Sequence, residues 1–147
     1  TVIAGHTAAV QRAADTCKAR GAKRALLLPV SAPFHCSLML PAAEKLCARL
    51  ATLNVVAPKI LLLNNVDVAS PQDPAAIQDA LVRQAAAPVR WVETMQAMAA
   101  QGVTHVYECG PGKVLAGLVK RCADGVTGVA LADVASVDAA IQTLQSS

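Results

Sequence analysis

Apolar positions along this chain fall into two kinds of stretch: short unbroken runs, and longer segments in which they recur every three or four residues. The runs "TVIAG" (1–5), "RALLLPV" (24–30), "KILLLNN" (59–65), "VTHVYEC" (103–109) and "VTGVAL" (126–131) have strand length, and each predicts a strand. Between them the spacing is helical. Thr7 is a plausible N-cap for a helix with Val10, Ala13, Ala14 and Cys17 on one face, ended by Gly21. Met39, Ala42, Ala43, Leu46, Leu50 and Leu53 form a second stripe, with Pro41 tolerable in a first turn. Asp73 and Pro74 read as cap and first-turn residue for a helix carrying Ile77, Leu81 and Gln84, which Pro88 ends. A further helix with Val92, Met95 and Ala99 stops at Gly102. Another carries Val114, Leu115, Leu118, Val119 and Cys122, and Ser136 is a candidate cap for a closing helix.

Strands alternating with helices imply an α/β fold with a mostly parallel sheet, whose functional loops sit at the carboxyl ends of its strands. His35, the segment 64–67 and "GPGK" (110–113) fall at such ends. A parallel crossover needs further strands to cover its faces, and none precede "TVIAG", so the opening reads as cut from something longer. No internal repeat or low-complexity linker divides the chain, although the opening unit reads as a subdomain distinct from residue 31 onward.

Composition narrows the functional classes. Of 147 residues, 54% are hydrophobic and 16% charged, which excludes a disordered chain, because so much apolar burial outweighs the ordering entropy. One Phe, one Tyr, one Trp and a net charge of +3 offer little for base stacking or phosphate binding, so no nucleic-acid partner is expected. No apolar run approaches the ~18 residues of a membrane span and no signal peptide is legible, which makes the expectation a cytoplasmic protein without a membrane partner. The five cysteines have no C-x-x-C spacing, so neither a disulfide framework nor a zinc site is indicated. Most are expected to be buried thiols or small space-fillers.

Among residues able to do chemistry, His35 stands first, because imidazole exchanges a proton near neutral pH and a strand end would present it to a cleft. A lone histidine is nevertheless more often a hydrogen-bonded structural residue, and nothing beside it in sequence is its partner. His6 and His105 have no comparable context. Cys36 invites a nucleophile reading, but neighbours on an extended chain point opposite ways, so it is not activated by His35. "GPGK" lacks the Gly-to-Gly-Lys spacing of a phosphate loop, and Lys113 is followed by Val114 rather than Ser or Thr; a Gly-Pro turn accounts for it. Gln84 lies on an apolar stripe, where either its amide or its carbonyl is wanted or it is a surface residue near a helix end. Lys18, Arg20, Lys23 and Arg24 concentrate positive charge that suits an acidic partner or nucleotide phosphates, although such runs are usually solvated faces.

Taken together, "AGHTAAV", "PVSAPFHCSLM", "NNVDV", "LVRQ" with "PVRW", and "YECGPGKVLAGLVKR" resemble, in order and spacing, the C-terminal half of the malonyl-CoA:acyl carrier protein transacylase family. The resemblance implies part of an α/β-hydrolase-like core, residues 31–147, preceded in residues 1–30 by the second half of a ferredoxin-like subdomain. It implies malonyl transfer from CoA to acyl carrier protein in fatty acid biosynthesis through an acyl-serine, with CoA thioester as substrate and no cofactor or metal. His35 takes the place of the family's general base. Gln84 takes the place of the residue whose main-chain carbonyl orients it. Phe34 and Met39 are the substrate-binding candidates, Phe34 at the position that faces the acyl pocket and would crowd a branched unit. Cys36 departs from the serine common in the family.

The family's Gly-x-Ser-x-Gly elbow is absent: the serines are 31, 37, 70, 136, 146 and 147, none so flanked. The resemblance therefore implies half of an active site, with the missing N-terminal half as a necessary partner and the chain inactive alone. Two other readings stand beside it. One is a non-catalytic module that docks acyl carrier protein or a partner chain; the other is a thioesterase-like hydrolase in which water replaces the acceptor thiol.

Overall fold

A computed structural model describes residues 1–146, leaving Ser147 outside, and separates the chain into two compact units, Thr1–Val89 and Arg90–Ser147. The first unit is helical. Helix α1 spans Thr7–Ala19 and is preceded by an extended His6, so Thr7 is the first helical residue and not the cap its chemistry suggested. Gly21, at φ 91°, ends it with its N–H donated to the Lys18 carbonyl at 3.0 Å. No residue of α1 is fully buried; Val10, Ala13 and Ala14 are half-covered, and Cys17 is exposed.

A single 3₁₀ turn, Ser37–Met39, leads into α2, Leu40–Leu50, with Pro41 in its first turn and Ala43 and Leu50 buried. Helix α3, Pro74–Gln84, begins as its sequence dictates: Pro74 is pre-set for the first turn, and the Asp73 carboxylate accepts the Ala76 N–H at 2.9 Å. Ile77 and Ala80 are its buried residues, whereas Leu81 is exposed. The two helices are tied by Gln78, whose Nε2 donates to the Leu50 carbonyl at 3.1 Å.

Three of the predicted strands do not form: among the described residues, 1–5, 24–30 and 59–65 are in no ladder. A strand is stable through its partner's hydrogen bonds, and among the described residues no segment pairs with these runs. Their side chains are correspondingly open, with Leu26 at 71% and Ile60 at 81% exposure. The expectation of buried thiols also fails. Cys17, Cys47 and Cys109 are exposed, and Cys36 and Cys122, both in turns between elements, are half-buried.

The second unit contains the sheet. Helix α4, Trp91–Ala100, buries Thr94 and Met95, while Val92, expected on the inner face, is exposed. Thr94 is tolerated inside because its hydroxyl donates to the Arg90 carbonyl at 2.8 Å. Strands β1, His105–Cys109, and β2, Thr127–Leu131, pair in parallel with His105 opposite Thr127 and Cys109 opposite Leu131. They are joined by α5, Val114–Val119. This β1–α5–β2 crossover is what the alternating pattern predicted. Its core is Met95, Val119, Ala123 and Val126, with Trp91, Met98 and Val106 packed against it. The Glu108 carboxylate accepts the Ala116 N–H at 2.8 Å, tying β1 to α5.

The closing helix α6, Val134–Gln145, starts earlier than expected. Asp133 is the cap, accepting the Ser136 N–H at 2.8 Å, and Ser136 Oγ returns the favour by accepting the Asp133 N–H at 3.1 Å. The Ser136 backbone N–H, and then its side chain, hold the Asp133 carboxyl below its ordinary range. A depressed folded-state value means the cap's contribution is fully present above the unfolded carboxylate's titration and is lost as pH falls through the lower, folded one. Asp133→Asn keeps an acceptor but cannot titrate, so its urea midpoint is expected to fall less steeply than wild type below pH 4; parallel acid limbs would rule the cap out as a contributor.

Candidate active site

His35 lies in a turn, at φ 60°, a left-handed backbone conformation uncommon for a residue with a side chain. Such strain persists only where surrounding contacts hold it. Those contacts are two carbonyls. His35 Nδ1 is 3.3 Å from Gln84 O and 3.1 Å from Ala87 O. A carbonyl oxygen only accepts, so Nδ1 carries the proton that it donates, and in the neutral ring Nε2 keeps its lone pair. The imidazole is exposed, and an oriented ring of this kind can take a proton at Nε2 while both carbonyls hold Nδ1.

The carbonyls are available because of how α3 ends. The last four C=O groups of a helix lack intrahelical partners. Ala85 N–H closes on Val82 O at 3.3 Å and Ala86 N–H on Arg83 O at 3.2 Å, which satisfies two of them. Gln84 O is turned to His35 instead. Pro88 stops the helix from continuing, and the chain bends so that Ala87 O joins it. Gln84 was legible as a candidate; Ala87 was not, because an alanine's carbonyl has no sequence signature beyond the proline that follows it.

The neighbours of His35 take other roles. Cys36 Sγ donates to Pro33 O at 3.2 Å, so the thiol is engaged with backbone, and the segment is a turn with His35 at φ 60°, not the extended chain its sequence suggested. Phe34 is 49% exposed, and Met39, half-buried, closes the 3₁₀ turn through its N–H to Cys36 O at 2.9 Å. Gln84 lines a small cavity of about 160 Å³ together with Leu62, Asn64, Ile77 and Leu81. Asn64 Nδ2 is buried there without a hydrogen-bond partner, while its Oδ1 accepts the Asp67 N–H at 2.8 Å.

Beside this cavity, Arg83 makes a forked pair with Asp67, Nη1 to Oδ1 at 2.7 Å and Nη2 to Oδ2 at 2.6 Å, and donates Nε to Asp79 at 2.7 Å. Asp67 first, then Asp79, push the Arg83 guanidinium still further above its already high range. Nothing local in the sequence marks this pair, since the two residues lie 16 positions apart in different elements. Lys18, Arg20, Lys23 and Arg24 are all exposed, with Lys18 placed favourably in the last turn of α1. "GPGK" lies in the second unit, where the chain turns from β1 to α5. Among the described residues no group of three or more His, Cys, Asp or Glu could hold a metal, and no helix is long and apolar enough to cross a membrane.

An exposed histidine whose Nδ1 is held by two main-chain carbonyls is an arrangement able to exchange a proton at its other ring nitrogen. No protein-family model matches the chain. Direct comparison identifies its relatives. It is 56% identical over 140 residues to a malonyl CoA-acyl carrier protein transacylase of Salmonella typhimurium, covering 95% of this chain and 45% of that protein. An acyl-carrier-protein S-malonyltransferase structure from Burkholderia pseudomallei superimposes with a TM-score of 0.87 at 59% identity, over 94% of this chain and 45% of that one. A malonyl-transacylase solved in complex with a type II polyketide synthase acyl-carrier protein gives 0.90 at 48% identity, over 95% and 45%. The chain is homologous to the C-terminal part of the malonyl CoA-acyl carrier protein transacylases, and spans under half the length of these relatives.

Proposed function

We propose that this chain supplies the general-base part of a malonyl-CoA:acyl carrier protein transacylase site, acting in fatty acid biosynthesis. The observation that carries the proposal is His35 Nδ1 held by the carbonyls of Gln84 and Ala87, in a chain 56% identical to such an enzyme. Residues 31–147 are then the C-terminal part of an α/β-hydrolase-like core, and residues 1–30 the second half of a ferredoxin-like subdomain.

In the proposed reaction a serine of a Gly-x-Ser-x-Gly elbow, outside this chain's sequence, gives its proton to His35 Nε2 as its oxygen attacks the malonyl thioester carbon. The C–S bond breaks, and CoA leaves as a thiol by taking that proton back. The phosphopantetheine thiol of acyl carrier protein then attacks the acyl-serine, again through His35, and regenerates the serine. Neutral carbonyls suffice as orienters because a thiol is an easier leaving group than an amine. No cofactor is needed. Phe34, beside His35, narrows the acyl pocket, with Met39 contributing to its wall.

The test is transfer of labelled malonyl from CoA to acyl carrier protein. The 147-residue chain alone is expected to give none; the full-length protein, or this chain joined to the preceding half of a relative, is expected to load the carrier. Labelled free malonate as the main product in the presence of carrier would replace the proposal with a hydrolase.

A further inference from the structure

A forked ion pair joins the loop 64–69 to the last turn of α3, and α3 carries a carbonyl that holds His35. The loop is closed on itself by Asn64 N–H to Ala69 O at 3.0 Å and Asp67 N–H to Asn64 Oδ1 at 2.8 Å. Val68 within it has φ 56°, an unfavourable conformation for a β-branched residue that some other contact must hold. Asp67, next to Val68, takes both prongs of the Arg83 guanidinium. Arg83 in turn immediately precedes Gln84.

We propose that Asp67 and Arg83 form a positioning clamp that fixes the axial rotation of the α3 terminus, and with it the direction in which the Gln84 and Ala87 carbonyls point at His35. Near its middle, α3 is anchored by Gln78 to the Leu50 carbonyl. That bond and the buried Ile77 and Ala80 hold the first two turns, whereas Leu81 and Arg83 in the last turn are exposed, so packing alone does not fix how that turn is rotated. A planar fork to one carboxylate resists rotation in a way that a lysine's point charge does not. Stability is not the reason for the pair: with the Arg83 and Asp67 side chains 44% and 37% exposed, solvent screening leaves such an ion pair contributing little to folding. Asp79 adds an i,i+4 contact within α3 itself, which steadies the guanidinium without tying the helix to the loop.

This inference rests on reading His35 as the base, and its test separates the two. In the full-length protein, the ¹⁵N shifts of His35 report which ring nitrogen is protonated, whatever the ring does in catalysis. Wild type is expected to show Nδ1–H alone. Arg83→Met and Asp67→Asn are each expected to give a mixture of tautomers, with kcat lowered about tenfold and KM for malonyl-CoA unchanged, since a slightly misaimed group costs rate more than binding. Arg83→Lys should recover less than half of that loss, and Asp79→Ala should stay within twofold of wild type. Asp67→Asn keeps the loop's shape and decides the matter if Arg83→Met does not fold. An unchanged Nδ1–H tautomer and kcat in Asp67→Asn would overturn the clamp. A normal rate in His35→Ala would overturn the base instead.

Discussion

Replacing His35 with alanine in the full-length protein is expected to lower kcat/KM for malonyl transfer by about 10³-fold or more, roughly 4 kcal/mol of transition-state stabilisation. The loss has a stated origin. In the proposed reaction, losing the imidazole leaves the serine hydroxyl with no group to take its proton as the thioester is attacked, and leaves the carrier thiol without one in the second step. His35 is exposed and its ring fills no core, so the folded protein should retain its melting temperature within a few degrees. Relief of the φ 60° strain at this position works in the same direction only if the new residue lets the turn relax. Gln84→Ala makes the contrast: the contact to His35 is from its main-chain oxygen, so truncating the side chain should cost less than tenfold. Equal losses in the two variants would mean that the glutamine amide, not its carbonyl, is what the site uses. Wild-type turnover in His35→Ala would remove it as the base.

Gly128→Ala is expected to destabilise the second unit by about 3 kcal/mol or more, a large part of the ~5–15 kcal/mol that holds a domain folded. Gly128 lies on β2 where α5 crosses it at close range. A Cβ there would stand 2.9 Å from Ala116 Cα and from its carbonyl carbon, and closer still to the carbonyl oxygen. The obstacle is helix backbone, which cannot swing aside as a long side chain would. Relief requires α5 to move off the sheet, and α5 carries Val119, which is completely buried in the core beside Met95 and Val126. Glu108 also ties α5 to β1 through Ala116 N–H, so any displacement opens a second contact. Urea denaturation of the folded protein checks the magnitude, and Gly128→Val should prevent the unit from folding. A shift below 1 kcal/mol in Gly128→Ala would show that α5 yields easily.

Much of this was written in the residues themselves. Asp73 followed by Pro74 announces the start of α3, and Pro88 its limit, because cap and proline act on local backbone alone. The runs at 103–109 and 126–131 find each other within the chain, so the predicted parallel pair and its crossover helix appear. The runs at 1–5, 24–30 and 59–65 carry the same local preference, yet no ladder forms, since a strand requires a partner that propensity cannot provide. Ser136 was read as a cap and is instead the third helical residue, bonded to the true cap Asp133; both have capping chemistry, and only backbone geometry chose between them.

The same division runs through the site. The resemblance of "PVSAPFHCSLM" and "LVRQ" to the transacylase family is what singles out His35 and Gln84, since by position alone each is as well read as a structural or surface residue. It does not say which atoms meet. That Nδ1 is shared between Gln84 O and Ala87 O, that Cys36 turns to Pro33, and that Arg83 grips Asp67 across 16 positions, were decided by the fold. Backbone carbonyls are common to every residue, and an ion pair between distant elements leaves no local periodicity. Identity of side chain is legible from sequence; direction of approach is set only when the helix ends and the loops close.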